Sequence, residues 1–300
     1  MIIKKLSKKI ASHPILNEVQ LTIPKGVICG IVGRNGSGKT TLFRTIVGHY
    51  QSDAGEVLIE GKNICIDPIM KEKIFYVDTQ FHPLDFMTPI IIGEYYNLLY
   101  HSFDLESYQQ MIQKYQLPNR RFQQYSKGMQ GLLLVILAYC SNCDYLILDE
   151  PLDGLDVIIR KEATDLLLDA VSEGTRSIIL SSHNLAELEK LVDQVAFLKN
   201  GRISHTVHLE NEKQLTKKVQ FVFRQKAIPE IIKQRGTILS VQGRVVCVVF
   251  KEYTAELAEQ VATLNPVLIE ELPLSLEDLF IEEFSHQDYE NEMRDTNDEK

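Results

Sequence analysis

The most informative segment of the sequence is Gly33-Arg34-Asn35-Gly36-Ser37-Gly38-Lys39-Thr40. It matches G-x-x-x-x-G-K-[ST] at every fixed position, and it follows the apolar run Val27 to Val32 and opens a helix-forming stretch, Gly38 to Val47. A buried strand, a glycine-rich turn and a helix in this order predict a phosphate-binding loop. Glycines let successive backbone N–H groups turn toward one anion, and the start of the helix adds the positive end of its dipole.

The individual residues of this loop have separate predicted tasks. Lys39 should reach the β- and γ-phosphates of a nucleotide, and the Thr40 hydroxyl should bind Mg²⁺. The residues predicted to contact the nucleotide are Gly33, Arg34, Asn35, Gly36, Ser37, Gly38, Lys39, Thr40 and Thr41. The alternative, a chance glycine-rich turn, does not account for the strand and the helix on either side. The sequence therefore predicts binding of ATP and Mg²⁺.

A second element supplies carboxylates. Residues 145–150, Tyr-Leu-Ile-Leu-Asp-Glu, form an apolar strand that ends in two acids. Asp149 is predicted to hold the Mg²⁺ shell, and Glu150 to polarise the attacking water as general base. Two acids at the end of a strand can also be solvated loop residues, but a phosphate-binding loop in the same chain favours the catalytic interpretation.

Strands and helices alternate along residues 1–210, which predicts an α/β domain with a mostly parallel sheet. The predicted strands are 27–32, 55–59, 74–77, 145–148 and 178–180, and the predicted helices are 38–47, 93–117, 128–140, 157–172 and 184–192. A helical subdomain is expected at about 81–140. After residue 210 the alternation of strands and helices stops, and 211–285 is expected to be a small α+β domain. Residues 286–300 are polar and acidic and are expected to be a disordered tail.

Composition excludes some classes of protein. The 300 residues carry a net charge of -9, which argues against a general nucleic-acid binder. No run approaches the about 18 apolar residues of a membrane-spanning helix, and the start lacks a secretion signal, so a cytoplasmic location is expected. The five cysteines suggest reduced thiols. Cys140 and Cys143 have C-x-x-C spacing, which we interpret as small residues ending a buried helix rather than as a redox or zinc site.

Residues 1 to about 205, which contain these motifs, resemble the nucleotide-binding domains of ABC transporters. The resemblance implies a P-loop NTPase core with an antiparallel β part. Gln80 matches the family's Q-loop glutamine, Asp156 its D-loop aspartate and His183 its switch histidine. The resemblance implies that Gln80 touches Mg²⁺ and faces a transmembrane subunit. It implies that His183 contacts the γ-phosphate and helps to position water. None of the three residues identifies the family alone, but their order and spacing relative to Lys39 and Glu150 are specific to it.

The family's signature, commonly L-S-G-G-Q, reads Tyr125-Ser126-Lys127-Gly128-Met129-Gln130 here. By the resemblance, the residues that face an ATP molecule held by a second ATPase protomer are Ser126, Lys127, Gly128, Met129 and Asp156. Lys127 and Met129 replace a glycine and a glutamine of the common form. This variant, with the ending Leu276 to Ile281, looks like the branch that pairs with separate six-helix permeases and exports drugs, peptides or polysaccharide. The C-terminal helix can equally pack on its own small domain.

Two departures from the family pattern stand out. Ile10 occupies the place where an aromatic residue often stacks on adenine, and Gly131-Leu132 stand where polar residues are usual. These changes put the base preference and the contacts with a second protomer or the permease in question. The catalytic set of Glu150, His183 and Gln80 is complete, so we expect hydrolysis.

The resemblance predicts a homodimer, or a dimer with a related ATPase, that lies at the inner face of the cell membrane through an integral membrane permease. Three alternatives stay open: a soluble ABC ATPase acting on ribosomes or DNA, a regulatory subunit that binds ATP without turnover, and an importer subunit. A single cassette, no long heptad run and the negative net charge disfavour the first. The presence of Glu150 and His183 disfavours the second.

Overall fold

The structure is a computed structural model that describes residues 1–78 and 84–285. Its strands are β1 Ile2–Ile10, β2 His13–Thr22, β3 Ile28–Val32, β4 Ala54–Ile59, β5 Lys62–Asn63, β6 Ile74–Asp78, β7 Tyr145–Asp149, β8 Ser177–Ser181, β9 Gln194–Lys199, β10 Arg202–His208, β11 Lys217–Val222, β12 Thr237–Gln242, β13 Val245–Phe250 and β14 Leu268–Leu272. Its helices are α1 Lys39–Ile46, α2 Pro68–Glu72, α3 Pro89–Leu99, α4 Leu105–Lys114, α5 Lys127–Cys140, α6 Val157–Ser172, α7 Leu185–Leu188, α8 Leu209–Leu215, α9 Glu230–Arg235, α10 Ala255–Ala262 and α11 Leu276–Ser285.

These elements form two compact units. The first comprises Met1–Asn184 and Lys190–Thr206, and the second comprises Leu185–Glu189 and the chain from Val207 onward. The tail expected at 286–300 lies outside the described residues. None of the described helices is long and apolar enough to cross a membrane.

The first unit contains a six-stranded sheet in the order β10-β9-β3-β8-β7-β6. Strand β3 pairs in parallel with β8 and β9, and β7 pairs in parallel with β6 and β8. Strands β1, β2, β4 and β5 form a separate antiparallel sheet. The predicted fold class, a P-loop α/β core with an antiparallel β part, is confirmed. Because the carboxyl ends of β3, β7 and β8 meet at one edge, the loops after them come together there.

Full burial explains the short apolar runs of this sheet. Every residue of β3, β7 and β8 is buried, as expected for strands of a parallel sheet covered on both faces. On α1, Leu42 and Phe43 are fully buried and pack in the same core as Ile31 and Ile147. Burying each of these side chains contributes roughly 1.5–3 kcal/mol, so the core fixes α1 against the sheet.

The helix predicted over 93–117 is wrong. The structure has two helices there, because α3 starts at Pro89 and ends at Leu99, and α4 starts at Leu105. Asp104 caps α4 by accepting the Ser107 N–H at 2.9 Å, and its own N–H donates to the Cys140 carbonyl at 2.8 Å. A short polar residue that caps a new helix competes with continuing the old one, which breaks the predicted element.

The helix predicted over 184–192 is also wrong in length, since α7 covers only four residues. Strands β1, β2, β5, β9, β10 and β14 were not predicted. The last of these, Leu-Ile-Glu-Glu-Leu, has four exposed residues and lacks the alternating apolar pattern that reveals a half-buried strand.

The second unit is built around the order β11-α9-β12-β13-α10-β14. All its strand pairs are antiparallel, with the spatial order β12-β13-β11-β14, which is the βαββαβ arrangement of ferredoxin-like domains. The fully buried residues of its core are Phe221, Ile232, Val248, Phe250 and Val261. The end of this unit is fastened by Asp278, which accepts two hydrogen bonds from Lys218 Nζ at 2.9 Å.

Candidate functional site

The phosphate-binding loop lies between the end of β3 and the start of α1, as its motif requires. A Cβ at Gly33 would stand 2.5 Å from the Leu198 carbonyl oxygen, so no larger residue fits. Gly38 precedes the helix with φ of 102°, a left-handed conformation that residues with a side chain rarely adopt. Glycine is therefore required at both positions for the backbone to make this turn.

Three groups of the loop fit a bound phosphate. Lys39 Nζ donates to the carbonyl oxygens of Gly33 at 2.8 Å and Arg34 at 3.3 Å, which holds the ammonium group across the loop. The Ser37 hydroxyl oxygen is buried and has no hydrogen-bond partner among the described residues. The first N–H groups of α1 have no acceptor within the helix, since the ladder starts at Leu42 N–H to Gly38 O. An anion would satisfy these donors.

Burial lowers the pKa of Lys39, and the nearby carboxylates of Glu150 and Asp149 oppose that shift. Lys39 is only 7% exposed, so its charge lies largely out of water. A buried ammonium group attracts an anion more strongly than an exposed one, because water screens it less.

A cleft of about 370 Å³ opens in front of the loop. Its lining residues are Ile15, Asn35, Gly36, Ser37, Gly38, Lys39, Thr40, Thr41, Glu150 and His183. The structure thus brings most of the predicted nucleotide residues together with the predicted base and switch histidine. Gly33 and Arg34 are not among the lining residues, but their carbonyl oxygens accept hydrogen bonds from Lys39 Nζ.

The acids stand where β7 ends. Asp149 is buried at the tip of the strand and accepts a hydrogen bond from Ser181 Oγ at 2.6 Å. Glu150 follows with φ of 53°, and its N–H donates to the same Ser181 oxygen at 3.0 Å. Glu150 Oε1 contacts His183 Nε2. Oxygen ligands such as the Thr40 hydroxyl and the Asp149 carboxylate are those that Mg²⁺ prefers, so the donor set fits that ion.

The signature residues lie at the start of α5. Ser126 caps this helix, because its Oγ accepts the Met129 N–H at 3.3 Å. The stem of Lys127 lies 3.6 Å from the position of a Cβ on Gly154. Gly128 is buried, with a Cβ position 3.2 Å from Ile159 Cδ1. These residues are not among those that line the cleft.

Asp156, predicted to act across a dimer, caps α6 within this chain. Its Oδ1 accepts the N–H groups of Ile158 at 3.0 Å and Ile159 at 3.1 Å. Helices α5 and α6 pack together, so the signature and Asp156 share one region of the first unit. An Asp156 side chain that caps a helix is also fixed in orientation.

The two apolar substitutions after the signature are explained by packing inside the chain. A Cβ at Gly131 would stand 2.6 Å from Leu155 Cδ2, and Leu132 is 4% exposed. Gly131 therefore belongs to the contact between α5 and the loop before α6, and Leu132 is buried, so a polar side chain at either position would be buried.

Two further residues from the sequence analysis are Gln80 and Ile10. Gln80 lies outside the described residues. Ile10 is 42% exposed, pairs with His13 at the end of β1, and is not among the residues that line the cleft. Sequence reasoning missed Ile15, which lines the cleft and approaches Gly38, and it missed Ser181, which joins Asp149 and Glu150. Ile15 lies outside the motifs, and Ser181 lies two residues before His183 in a position whose role its spacing does not reveal.

The C-x-x-C cysteines have the surroundings of packing residues. Cys140 ends α5, and both Cys140 and Cys143 are buried. Burial raises the pKa of Cys140 to about 12 and that of Cys143 to about 11. Within residues 1–78 and 84–285 no group of three His, Cys, Asp or Glu side chains could hold a metal. The two cysteines are packing residues.

Comparison with known proteins gives one consistent result. A family model described as ABC transporter matches residues 16–153. The ABC transporter ATP-binding protein YtrB of Bacillus subtilis is 30% identical, over 94% of this chain and 97% of its own. The lantibiotic transport ATP-binding protein SrtF of Streptococcus pyogenes is 29% identical, over 67% of this chain and 87% of its own.

A solved structure shares the fold. The dimeric post-hydrolysis structure of the ATP-binding cassette MJ0796 bound to ADP and Pi superposes with a TM-score of 0.61 at 21% identity, over 69% of this chain and 98% of that one. At this identity the likeness establishes the fold alone.

Proposed function

The chain belongs to the ABC transporter family as an ATP-binding subunit, and from that premise we propose that it hydrolyses ATP in a dimer that drives a separate membrane permease. The observation that carries the proposal is the cleft in which Lys39, Thr40, Glu150 and His183 meet. A phosphate-binding loop alone would bind nucleotide, whereas a carboxylate and an imidazole facing it supply the groups that hydrolysis needs.

Binding begins at the loop. Lys39 and the N–H groups at the start of α1 hold the phosphates, and the Ser37 hydroxyl donates a further hydrogen bond. Thr40, Asp149 and, by the family resemblance, Gln80 would hold Mg²⁺, which when bound neutralises charge that develops on the phosphates. Gly33, Gly36 and the other loop residues let the backbone approach the anion closely.

Chemistry then depends on Glu150. Its carboxylate accepts the proton of a water molecule that attacks the terminal phosphorus in line, and the leaving ADP oxygen departs on the opposite side. His183, in contact with Glu150 Oε1, orients this carboxylate. By the family resemblance, it would also contact the terminal phosphate. The left-handed backbone at Glu150 turns its side chain away from the course of β7. This turn brings the carboxylate to the cleft.

A second protomer would complete the site. Ser126, Lys127, Gly128, Met129 and Asp156 do not line this chain's own cleft, so they are available to an ATP molecule held by another copy or by a related ATPase. The start of α5 supplies N–H groups of the kind that bind anions. In this proposal ATP joins the two protomers, and loss of the terminal phosphate lets them open.

We propose export as the direction of transport. The signature variant at Ser126 to Met129 and the C-terminal stretch Leu276 to Ile281 support this direction by the family resemblance. Two relatives are named lantibiotic and bacitracin transport ATP-binding proteins, and these names support a drug, peptide or similar amphipathic cargo for this chain. The permease would receive the motion through the helical region at 81–140. The chain would then lie at the inner face of the membrane, bound to the permease.

The test is Mg²⁺-dependent phosphate release by the purified chain, followed by affinity capture from solubilised membranes. We expect ATP turnover, and capture of a membrane protein with six spans. A purified chain that binds ATP without releasing phosphate, alone or with its permease, would favour the regulatory alternative. Capture of ribosomes or DNA would favour the soluble alternative.

A further inference from the structure

We propose that Ser181 is a positioning residue that holds the carboxylate of Asp149 and the backbone of Glu150 in their working orientation through one hydroxyl group. This inference rests on the proposed function, because it assigns Asp149 to the metal and Glu150 to the attacking water. Ser181 lies two residues before the switch histidine, His183, but the sequence analysis gave it no role of its own.

The sheet brings these residues together from distant parts of the chain. Ser181 is the last residue of β8, and it pairs in parallel register with Asp149 of β7 on one side and with Ile31 of β3 on the other. Its exposed fraction is 0%. Ser181 therefore sits between the strand that leads into the phosphate-binding loop and the strand that carries the acids.

The hydroxyl makes two bonds of opposite kind. Ser181 Oγ donates to Asp149 Oδ1 at 2.6 Å, and it accepts the N–H of Glu150 at 3.0 Å. A serine hydroxyl has one proton and two lone pairs. Since the Glu150 N–H occupies a lone pair, the proton is directed to Asp149. One oxygen atom thus links the orientation of the Asp149 carboxylate to the position of the next residue.

The conformation of Glu150 shows why this link matters. Its φ of 53° is left-handed, which is unfavourable for a residue with a Cβ and persists only where the surroundings hold it. The bond from its N–H to Ser181 is one such constraint. Glu150 Oε1 then contacts Nε2 of His183, which lies two residues after Ser181. Ser181 therefore constrains the backbone of Glu150 by a hydrogen bond, and it lies two residues before His183, the other partner in that contact.

The same strand contains a matched control. Ser177, at the other end of β8, is also 0% exposed. Its Oγ accepts the Gly26 N–H at 3.1 Å and donates to the Pro24 carbonyl oxygen at 2.9 Å. Ser177 thus matches Ser181 in burial and in accepting one hydrogen bond and donating another, but its partners are not the acids. Replacing either serine removes one buried hydroxyl with two partners.

The experiment compares Ser181→Ala and Ser181→Cys with Ser177→Ala and Ser177→Cys. Cysteine keeps about the size of serine but forms only weak hydrogen bonds, so it serves if the alanine variant fails to fold. We measure kcat and KM for ATP hydrolysis. Separately, we measure the free Mg²⁺ concentration that gives half-maximal binding of a non-hydrolysable ATP analogue.

We expect both Ser181 variants to lower kcat and to raise the Mg²⁺ requirement, each by roughly 10- to 100-fold, the range seen when partners of metal ligands are lost. KM for ATP should change less, because the phosphate-binding loop is untouched. The Ser177 variants should lose thermal stability but keep kcat and the Mg²⁺ requirement of the wild type.

Ser181 variants that match their Ser177 counterparts in kcat and in Mg²⁺ requirement would overturn the inference and leave Ser181 a packing residue. A wild-type chain without turnover would refute hydrolysis, which is the proposed function. The binding measurement would still decide the role of Ser181, because it needs no hydrolysis.

Discussion

His183 Nε2 and Glu150 Oε1 are in contact in the cleft that Lys39 and Thr40 also line. The two residues are far apart in sequence and follow two neighbouring parallel strands, β7 and β8. The contact joins the proposed base to the proposed switch residue before any second protomer is present.

Glu150→Gln should keep nucleotide binding and lower the rate of hydrolysis by about 10²- to 10⁴-fold, because the amide cannot accept the proton of the attacking water. The variant should also form a stable dimer with Mg·ATP. Phosphate release and size-exclusion chromatography measure these effects. Glu173→Gln, at an exposed position at the end of α6, is the control. Turnover equal to that of the wild type would refute the assignment of Glu150 as base.

Lys39→Ala should weaken binding of ATP by roughly 10- to 100-fold, since the variant lacks charge-assisted bonds to the phosphates that are worth about 1.5–3 kcal/mol. A fluorescent ATP analogue measures the dissociation constant. Lys161→Ala removes an exposed lysine from α6 and should leave binding unchanged. Equal affinity of the two variants would contradict the role given to Lys39.

Ser126→Ala should abolish dimer formation with ATP in the Glu150→Gln background, because Ser126 would contact the nucleotide of the other protomer. The change also removes a helix cap worth about 1 kcal/mol. Thr254→Ala is therefore the control, since Thr254 caps α10 in the second unit by accepting the Leu257 N–H. If both variants dimerise, as judged by light scattering, Ser126 has no role across the interface.

Leu132→Ala should lower the free energy of unfolding by about 2–5 kcal/mol, because a buried side chain is lost and a cavity is left. Leu98→Ala, at a residue 83% exposed on α3, should change it by less than about 0.5 kcal/mol. Urea unfolding followed by circular dichroism measures both. A small effect at Leu132 would mean that α5 does not pack as the structure has it.

Cysteine labelling tests the environment of the C-x-x-C pair. Burial raises the pKa of Cys140 to about 12 and that of Cys143 to about 11, so both stay protonated thiols at pH 8. Only the thiolate reacts rapidly with a disulfide reagent. We expect the native chain to be labelled at the exposed Cys65, and the unfolded chain at all five cysteines. Rapid native labelling at Cys140 would point to a redox role.

Some of the fold could be predicted because it is encoded locally. Strands β3, β7 and β8 are short apolar runs, and α1 and α5 follow recognisable caps or turns. The break between α3 and α4 was missed because Asp104 stabilises a new helix start by bonds to Ser107 and to the distant Cys140 carbonyl. The latter partner cannot be seen in a window of sequence.

From the residues alone follow the phosphate-binding loop, the two acids after β7 and the order of the motifs, because each depends on residue types at fixed short spacing. Folding of the whole chain brings Ser181 to both acids, His183 to Glu150, and Gly131 to Leu155. These relationships join residues about 24 or more positions apart along the chain. They depend on the order of parallel strands and on helix packing, which come from burial of the whole core rather than from any local stretch.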